Sequence, residues 1–245
     1  MKIETLLSPA ELPTLAHHDL HATACVVFDI LRATSTFVTA LQNGAKAIVP
    51  VSEISEAVAL RKKQPDVLLA GERDGVKIQA RHSGGIDFDF GNSPREFTPV
   101  NVHGKIIAST TTNGTRALRA CAGAKAVLAG SFLNLAATAK YLHHAKFAKI
   151  LLVCAGTGEG VALEDVLAAG ALADALAGEE CDATKTARHT FLHAKPRLVA
   201  TLAGSTNGRR LLAIPALHED VAFCSQQNVV DLVAHMDAKG HLMRL

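Results

Sequence analysis

Short apolar, β-rich runs alternate with helical patterns along most of this chain, and that alternation limits its fold more than any other feature. "ACVVFD" (24–29), "KAIVPV" (46–51), "DVLLAG" (66–71), "GKIIAS" (104–109), "KAVLAG" (125–130), "AKILLVCAG" (148–156) and "EDVAFCS" (219–225) read as strands. Between most of them lie amphipathic or alanine-rich helices, among them "TSTFVTALQN", "SEISEAVALRKK", "LNLAATAKYLHH" and "LEDVLAAGALADALAG". Uniformly apolar strands are buried on both faces, and crossover helices set successive strands parallel. The expectation is an α/β protein, a three-layer sandwich around a mainly parallel, mixed sheet. The C-terminal "VVDLVAHMDAKGHLMRL" differs and reads as two strands joined by a turn. No Pro/Gly/Ser-rich linker interrupts the pattern, so residues 1–245 read as a single domain, or as two lobes of similar strand–loop–helix units.

An ungapped internal repeat accompanies the alternation. Advancing residues 31–57 by 79 positions sets Thr36 on Thr115, Gly44-Ala45-Lys46-Ala47 on Gly123-Ala124-Lys125-Ala126, and Ser52 on Ser131. A further advance of 94 sets Thr112-Asn113-Gly114 on Thr206-Asn207-Gly208, Arg116 on Arg210, Val127 on Val221 and Ser131 on Ser225. The pattern admits an internal duplication with a truncated third copy; chance similarity among alanine-rich units is the alternative.

Composition excludes several classes of function. The chain has 245 residues, 49% of them hydrophobic, enough for a substantial core. A net charge of +2, one Tyr and no Trp give nucleic acid little to bind. No apolar run approaches the roughly 20 residues that span a bilayer, and "MKIETLLSPAELP" lacks the order of a signal peptide, so a cytoplasmic protein without membrane partners is expected. Cys25, Cys121, Cys154, Cys181 and Cys224 are widely spaced and without a CxxC, as expected of reduced core thiols. His189 and His193 have a chelating spacing but lack a third ligand. Homo-oligomer formation is left open.

Chemistry concentrates where the strands end. "STTTNGTRAL" (109–118) puts four hydroxyl residues and Asn113-Gly114 between an apolar run and a helix-like pattern. Ligands of parallel α/β sheets bind beyond the carboxyl ends of strands, where helix N-termini offer unpaired N–H groups to anions. Thr111, Thr112, Asn113, Gly114, Thr115 and Arg116 are therefore candidate anion contacts, with helix capping as the alternative for part of them. Asp29 closes "ACVVFD" and is followed by Arg32, Thr34 and Ser35; Glu72 and Arg73 follow "DVLLAG"; Glu164 and Asp165 open a later helix. Acids at three strand ends suit one hard cation, magnesium above all, and the arginines would clamp anionic groups as planar forks. Asp29, Glu72 and Asp165 are the candidate catalytic residues, and Asp29, Glu72, Glu164 and Asp165 the candidate ligands of Mg²⁺. Two familiar motifs fail: "VVFDILRAT" has Leu31 where a haloacid-dehalogenase phosphatase has its second Asp, and Gly156, Gly158 and Gly160 miss the dinucleotide-binding spacing.

Taken in order, "VVFDILRATSTFVTAL", "GERDG", "GIDFDFGNSPREF", "STTTNGTRAL" and "CAGTGEGVALEDVLAAG" closely resemble the 2-phosphosulfolactate phosphatase family, which serves one route of coenzyme M biosynthesis. The resemblance spans roughly residues 2–240. It implies a magnesium-dependent phosphatase of α/β fold acting on 2-phospho-3-sulfolactate or a similar small phosphorylated hydroxyacid. In "GNSP", Ser93 would cap a helix whose first residue is Pro94, leaving the Gly91 and Asn92 donors near the pocket, with Asn92 and Ser93 as candidate anion contacts and a simple capped turn as the alternative. "TKTARHTFLHAKPR" (184–197) matches nothing in the resemblance and would form a helical lid. A non-catalytic small-anion binder and a phosphotransferase are the other readings; strand-end carboxylates argue for an enzyme, since an anion binder gains nothing from negative charge beside its ligand.

Overall fold

The computed structural model describes residues 1–73 and 75–245. In chain order its strands are β1 (Lys2–Leu6), β2 (Thr23–Phe28), β3 (Ala47–Pro50), β4 (Leu68–Arg73), β5 (Val76–Lys77), β6 (Ile106–Thr110), β7 (Ala126–Gly130), β8 (Lys149–Cys154), β9 (Glu179–Glu180), β10 (Ala234–Met236) and β11 (Leu242–Arg244). The α-helices are α1 (Ala33–Gln42), α2 (Ile54–Lys63), α3 (Pro99–Val102), α4 (Gly114–Ala120), α5 (Leu135–Ala145), α6 (Leu163–Leu176), α7 (Asp182–Ala194), α8 (Leu198–Gly204), α9 (Thr206–Leu212) and α10 (His218–Cys224). The strands form one sheet in the order β5-β4-β6-β3-β11-β10-β7-β2-β8-β1-β9.

Two parallel groups make up this sheet. In one, β7, β2, β8, β1 and β9 pair in parallel, with Val26 opposite both Leu128 and Leu152. In the other, β3, β6 and β4 are parallel. The C-terminal hairpin β10–β11 lies between them, antiparallel to β7 on one side and to β3 on the other. The mixed, mainly parallel sheet and the C-terminal hairpin thus agree with the sequence.

Period-2 alternation sorts the central strands onto two faces. Ala24, Val26 and Phe28 of β2, with Ile150 and Leu152 of β8, pack beneath Leu172 of α6, Phe191 of α7 and Leu202 of α8. Cys25, Val27, Leu151 and Val153 face the other way, against Phe37 and Leu41 of α1 and Leu118 of α4. Every residue of β2 is buried, which is why its sequence is a continuous apolar run and not an alternating one. The cysteines are all free, and those at 25, 121, 154 and 224 are buried in this core.

Three sequence expectations need correction. "EDVAFCS" (219–225) is not a strand but helix α10, because Val221 and Cys224, one helical turn apart, pack inward with buried Asp220 while Glu219 and Asp220 occupy the first turn. The third copy of the repeat therefore shares only its loop and first helix with the second; the first two copies do share the order helix, strand, helix. Residues 184–197 form no lid. They lie in α7 and the turn after it, with Thr184, Ala187 and Phe191 buried, and Thr184 Oγ1 bonds Thr5 Oγ1 at 2.8 Å and the Ile3 carbonyl at 3.0 Å. Gly170 of α6 is required there, since a Cβ would overlap the Ala187 carbonyl. Strand β1 went unread because Lys2 and Glu4 break its apolar run.

Candidate active site

Loops from the carboxyl ends of both parallel groups line one cavity of about 260 Å³. The β2–α1 loop brings Asp29, Leu31 and Arg32; β4 and its turn bring Glu72 and Gly75; the β6–α4 loop brings Thr112 and Asn113; the β8–α6 loop brings Gly156, Thr157 and Gly158; α6 brings Glu164 and Asp165; α9 brings Asn207, Arg210 and Leu211. Asn92 completes the wall. The volume lies below the roughly 300–1,000 Å³ of drug-sized pockets and suits a small polar molecule.

Four carboxylates face this space, and each is held by donors from another segment. Asp29 Oδ1 accepts the Ala33 amide at 3.0 Å. Asp165 spans two loops, taking the Ile30 amide on Oδ1 at 2.8 Å and the Gly156 amide on Oδ2 at 2.9 Å. Glu72 Oε1 accepts both the amide and the hydroxyl of Thr112 at 3.1 Å, while Oε2 accepts the Gly75 amide at 2.7 Å. Glu164 Oε1 accepts Asn207 Nδ2 at 2.6 Å. Burial pushes the Asp29 carboxyl up to about 7, the charges of Glu72 and Glu164 add to the rise, and the Ala33 and Gly114 amides oppose it. Asp165 is also raised well above the ordinary carboxylate range, by burial first and then by Asp29 and Glu164.

Cationic groups stand opposite. Arg32 is 3% exposed; its Nη1 donates to Asp220 Oδ2 at 2.7 Å and its Nη2 to the Gly75 carbonyl at 2.8 Å. The Arg210 guanidinium passes the same Gly75, within 3.8 Å of where a Cβ would stand. Gly75 has φ +78°, so its glycine answers a left-handed turn.

The sequence candidates divide on inspection. Asp29, Arg32, Glu72, Asn92, Thr112, Asn113, Glu164 and Asp165 meet at the cavity. Thr34 and Ser35 do not line it: Thr34 Oγ1 donates to the Asp29 carbonyl and Ser35 Oγ to the Ile30 carbonyl, fixing the turn into α1. Ser93 Oγ donates to Asp220 Oδ1 at 2.7 Å, behind Arg32. Thr111 and Thr115 bond each other around the start of α4, the Thr115 amide to Thr111 Oγ1 at 3.2 Å and Thr115 Oγ1 to the Thr111 carbonyl at 2.9 Å. Gly114 is needed for closeness, because a Cβ would stand 2.7 Å from Asp29 Oδ2 and from the Ala33 Cβ. Arg73 turns to the Glu72 carbonyl at 2.7 Å and Thr110 Oγ1 at 3.2 Å. Arg116 points outward, half exposed, and pairs with Glu159 at 2.6 Å. The run of hydroxyls in "STTTNGTRAL" thus mostly caps α4 and holds Glu72.

Asp220, Thr157, Asn207 and Arg210 were missed as site residues. The internal repeat marked Asn207 and Arg210 without giving them a place, and Asp220 lay in a segment read as a strand.

Known proteins similar to this chain share one family. The model of the 2-phosphosulpholactate phosphatase family matches residues 10–239. The chain is 44% identical over 178 residues to a probable 2-phosphosulfolactate phosphatase of Caldicellulosiruptor saccharolyticus, covering 71% of this chain and 69% of the relative. It is 39% identical over 221 residues to one of Caldanaerobacter subterraneus subsp. tengcongensis, with 88% of each covered. It is 36% identical over 246 residues to one of Carboxydothermus hydrogenoformans, covering 99% of this chain and 94% of the relative. By class, this α/β protein is a phosphoric monoester hydrolase. The chain belongs to the 2-phosphosulfolactate phosphatase family.

Proposed function

We propose that this enzyme hydrolyses 2-phospho-3-sulfolactate, or a phosphorylated hydroxyacid of similar size and charge, to the free hydroxyacid and phosphate, with Mg²⁺ as its cofactor. The observation that carries this reading is one small cavity in which four carboxylates face two guanidiniums. An anionic ester gains nothing from four acids unless a cation intervenes, so the donor set itself calls for a metal. Among the described residues no group of three or more His, Cys, Asp or Glu is arranged to hold a metal alone. Magnesium needs no such group, because it takes one or two carboxylates and keeps waters and phosphate oxygens for the rest of its shell. Glu72 and Glu164 would hold it, with Asp29 near both. When bound, the ion supplies charge neutralisation at the phosphoryl oxygens.

The chain's own groups do the rest. Arg32, its direction fixed by Asp220 and the Gly75 carbonyl, and Arg210 beside Gly75 receive the anionic groups of the substrate. Asp29, whose carboxyl is raised by burial and by the charges of both glutamates, takes the proton of the attacking water as the ester P–O bond breaks, and the departing alkoxide is protonated by solvent. Asp165, with both oxygens bound to loop amides, locks the β2 and β8 ends in register and is a positioning residue.

Phosphate release across a panel of phosphorylated hydroxyacids tests the proposal. The highest kcat/KM is expected for 2-phospho-3-sulfolactate, with a loss of at least about tenfold for 2-phospholactate, which lacks the sulfonate and so loses one charge-assisted contact with the site. No phosphate release from any member would refute it.

A further inference from the structure

The wall between Glu164 and the β8–α6 loop carries a side-chain relay that the reaction as described does not use. Asn207 Nδ2 lies 2.6 Å from Glu164 Oε1 and 2.6 Å from Thr157 Oγ1. An ionised carboxylate only accepts, so the Asn207 amide must present its NH₂ to Glu164; the opposite orientation would set two acceptors against each other. Both bonds then leave from the same nitrogen, one hydrogen to each partner. Thr157 Oγ1 is therefore an acceptor toward Asn207, and its own proton is left to donate elsewhere.

The surroundings narrow where that proton can go. The Thr157 main chain is occupied in a tight turn, its amide bonded to the Gly160 carbonyl and its carbonyl to the Gly160 amide, each at 3.0 Å. Gly156 and Gly158 on either side have φ +68° and +59°, conformations that hold the threonine at the tip of the loop. Thr157, Glu164 and Asn207 line both the main cavity and a neighbouring recess of about 380 Å³; the main cavity holds Asp29, Glu72, Asp165, Arg32 and Arg210, whereas the recess has Arg209, whose Nη1 turns to the Gly204 carbonyl. We infer that Thr157, oriented by Asn207, is a substrate-binding residue whose hydroxyl donates to an anionic oxygen of the bound ester. Asn207 is the positioning residue that sets that donor and Glu164 with one amide group. This rests on the reading of the cavity as a phosphoester site.

Thr157→Val keeps the shape and removes the donor. Its kcat/KM for 2-phospho-3-sulfolactate should fall by about ten- to a hundredfold, as for a lost hydrogen bond to a charged partner, and inorganic phosphate should bind more weakly by calorimetry. Thr157→Ser returns the hydroxyl and should recover most of that loss. Asn207→Asp sets an acceptor against each neighbour and should lose at least as much as Thr157→Val; its melting temperature should fall, with a native-like circular dichroism spectrum showing that the fold is kept. An active wild type beside a Thr157→Val of equal kcat/KM and equal phosphate affinity overturns the inference alone. A folded wild type that neither hydrolyses the ester nor binds phosphate overturns the reading of the cavity, and this inference with it.

Discussion

Thr112-Asn113-Gly114 and Thr206-Asn207-Gly208 reach the same cavity from different elements, the first from the end of β6 and the second from the first turn of α9. Both asparagines line the space, and both glycines stand where a Cβ would collide, Gly114 with Asp29 and Ala33, Gly208 with the Leu202 carbonyl. The arginine two residues on behaves differently in each. Helix α4 buries Thr115, Ala117 and Leu118 and so turns Arg116 out to solvent and Glu159, whereas α9 buries Gly208 and Leu211 and leaves Arg210 at the cavity beside Gly75. A shared tripeptide therefore predicts a shared role for its own residues, and the helix that follows decides where the next side chain points.

Each segment sits beside a carboxylate, and removing those carboxylates tests the comparison hardest. Asp29→Asn and Glu164→Gln should each lower turnover by at least about a hundredfold, as expected for a proton-transfer or metal-positioning group; a loss confined to one of them would make the site one-sided. Asp29→Asn should also change stability. Because the folded carboxyl is raised to about 7 from 3.8, the folded state binds the proton more tightly than the unfolded chain, and this group costs stability increasingly as pH rises through that interval. In chelator, the melting temperature of Asp29→Asn relative to wild type should therefore rise from about pH 4 to about pH 8; a constant difference would show that Asp29 is not penalised by burial.

The glycines come next. Gly114→Ala drives a methyl against Asp29 and should lower kcat by about tenfold, while Gly208→Ala meets backbone alone and should show mainly as a loss of about 1–3 kcal/mol in denaturant unfolding. Equal effects on kcat would mean that α9 is held as tightly to the chemistry as α4. Arg210→Lys keeps charge but loses the planar fork and should raise KM by about tenfold; Arg116→Lys, at an exposed ion pair, should stay within about twofold. The sequence alone had suggested the reverse ranking, and steady-state kinetics of the two variants decides it.

The parallel sheet, its crossover helices and the C-terminal hairpin were legible because strands buried on both faces must be apolar along their buried length, as residues 24–28 and 150–154 are. Asp29 was legible for the complementary reason: a carboxylate closing such a run needs partners, and Asp29 has one in the Ala33 amide. What escaped depends on tertiary placement. Whether a threonine in "STTTNGTRAL" caps a helix or faces a ligand turns on the helix azimuth, so Thr111 and Thr115 could not be told from Thr112. Asp220 carries no local signal, since its value lies in meeting Arg32 and Ser93, far away in the chain. Asn207 was visible only as an echo of Asn113.

The central claim is that strand-end carboxylates and a magnesium ion together act on a small phosphoester. Phosphate release from 2-phospho-3-sulfolactate, followed in excess chelator and then with measured free Mg²⁺ or Ca²⁺, tests it most directly. The account predicts negligible release in chelator, recovery with Mg²⁺, and much poorer recovery with Ca²⁺, whose larger and looser shell suits a compact site badly. Full activity in excess chelator would contradict it.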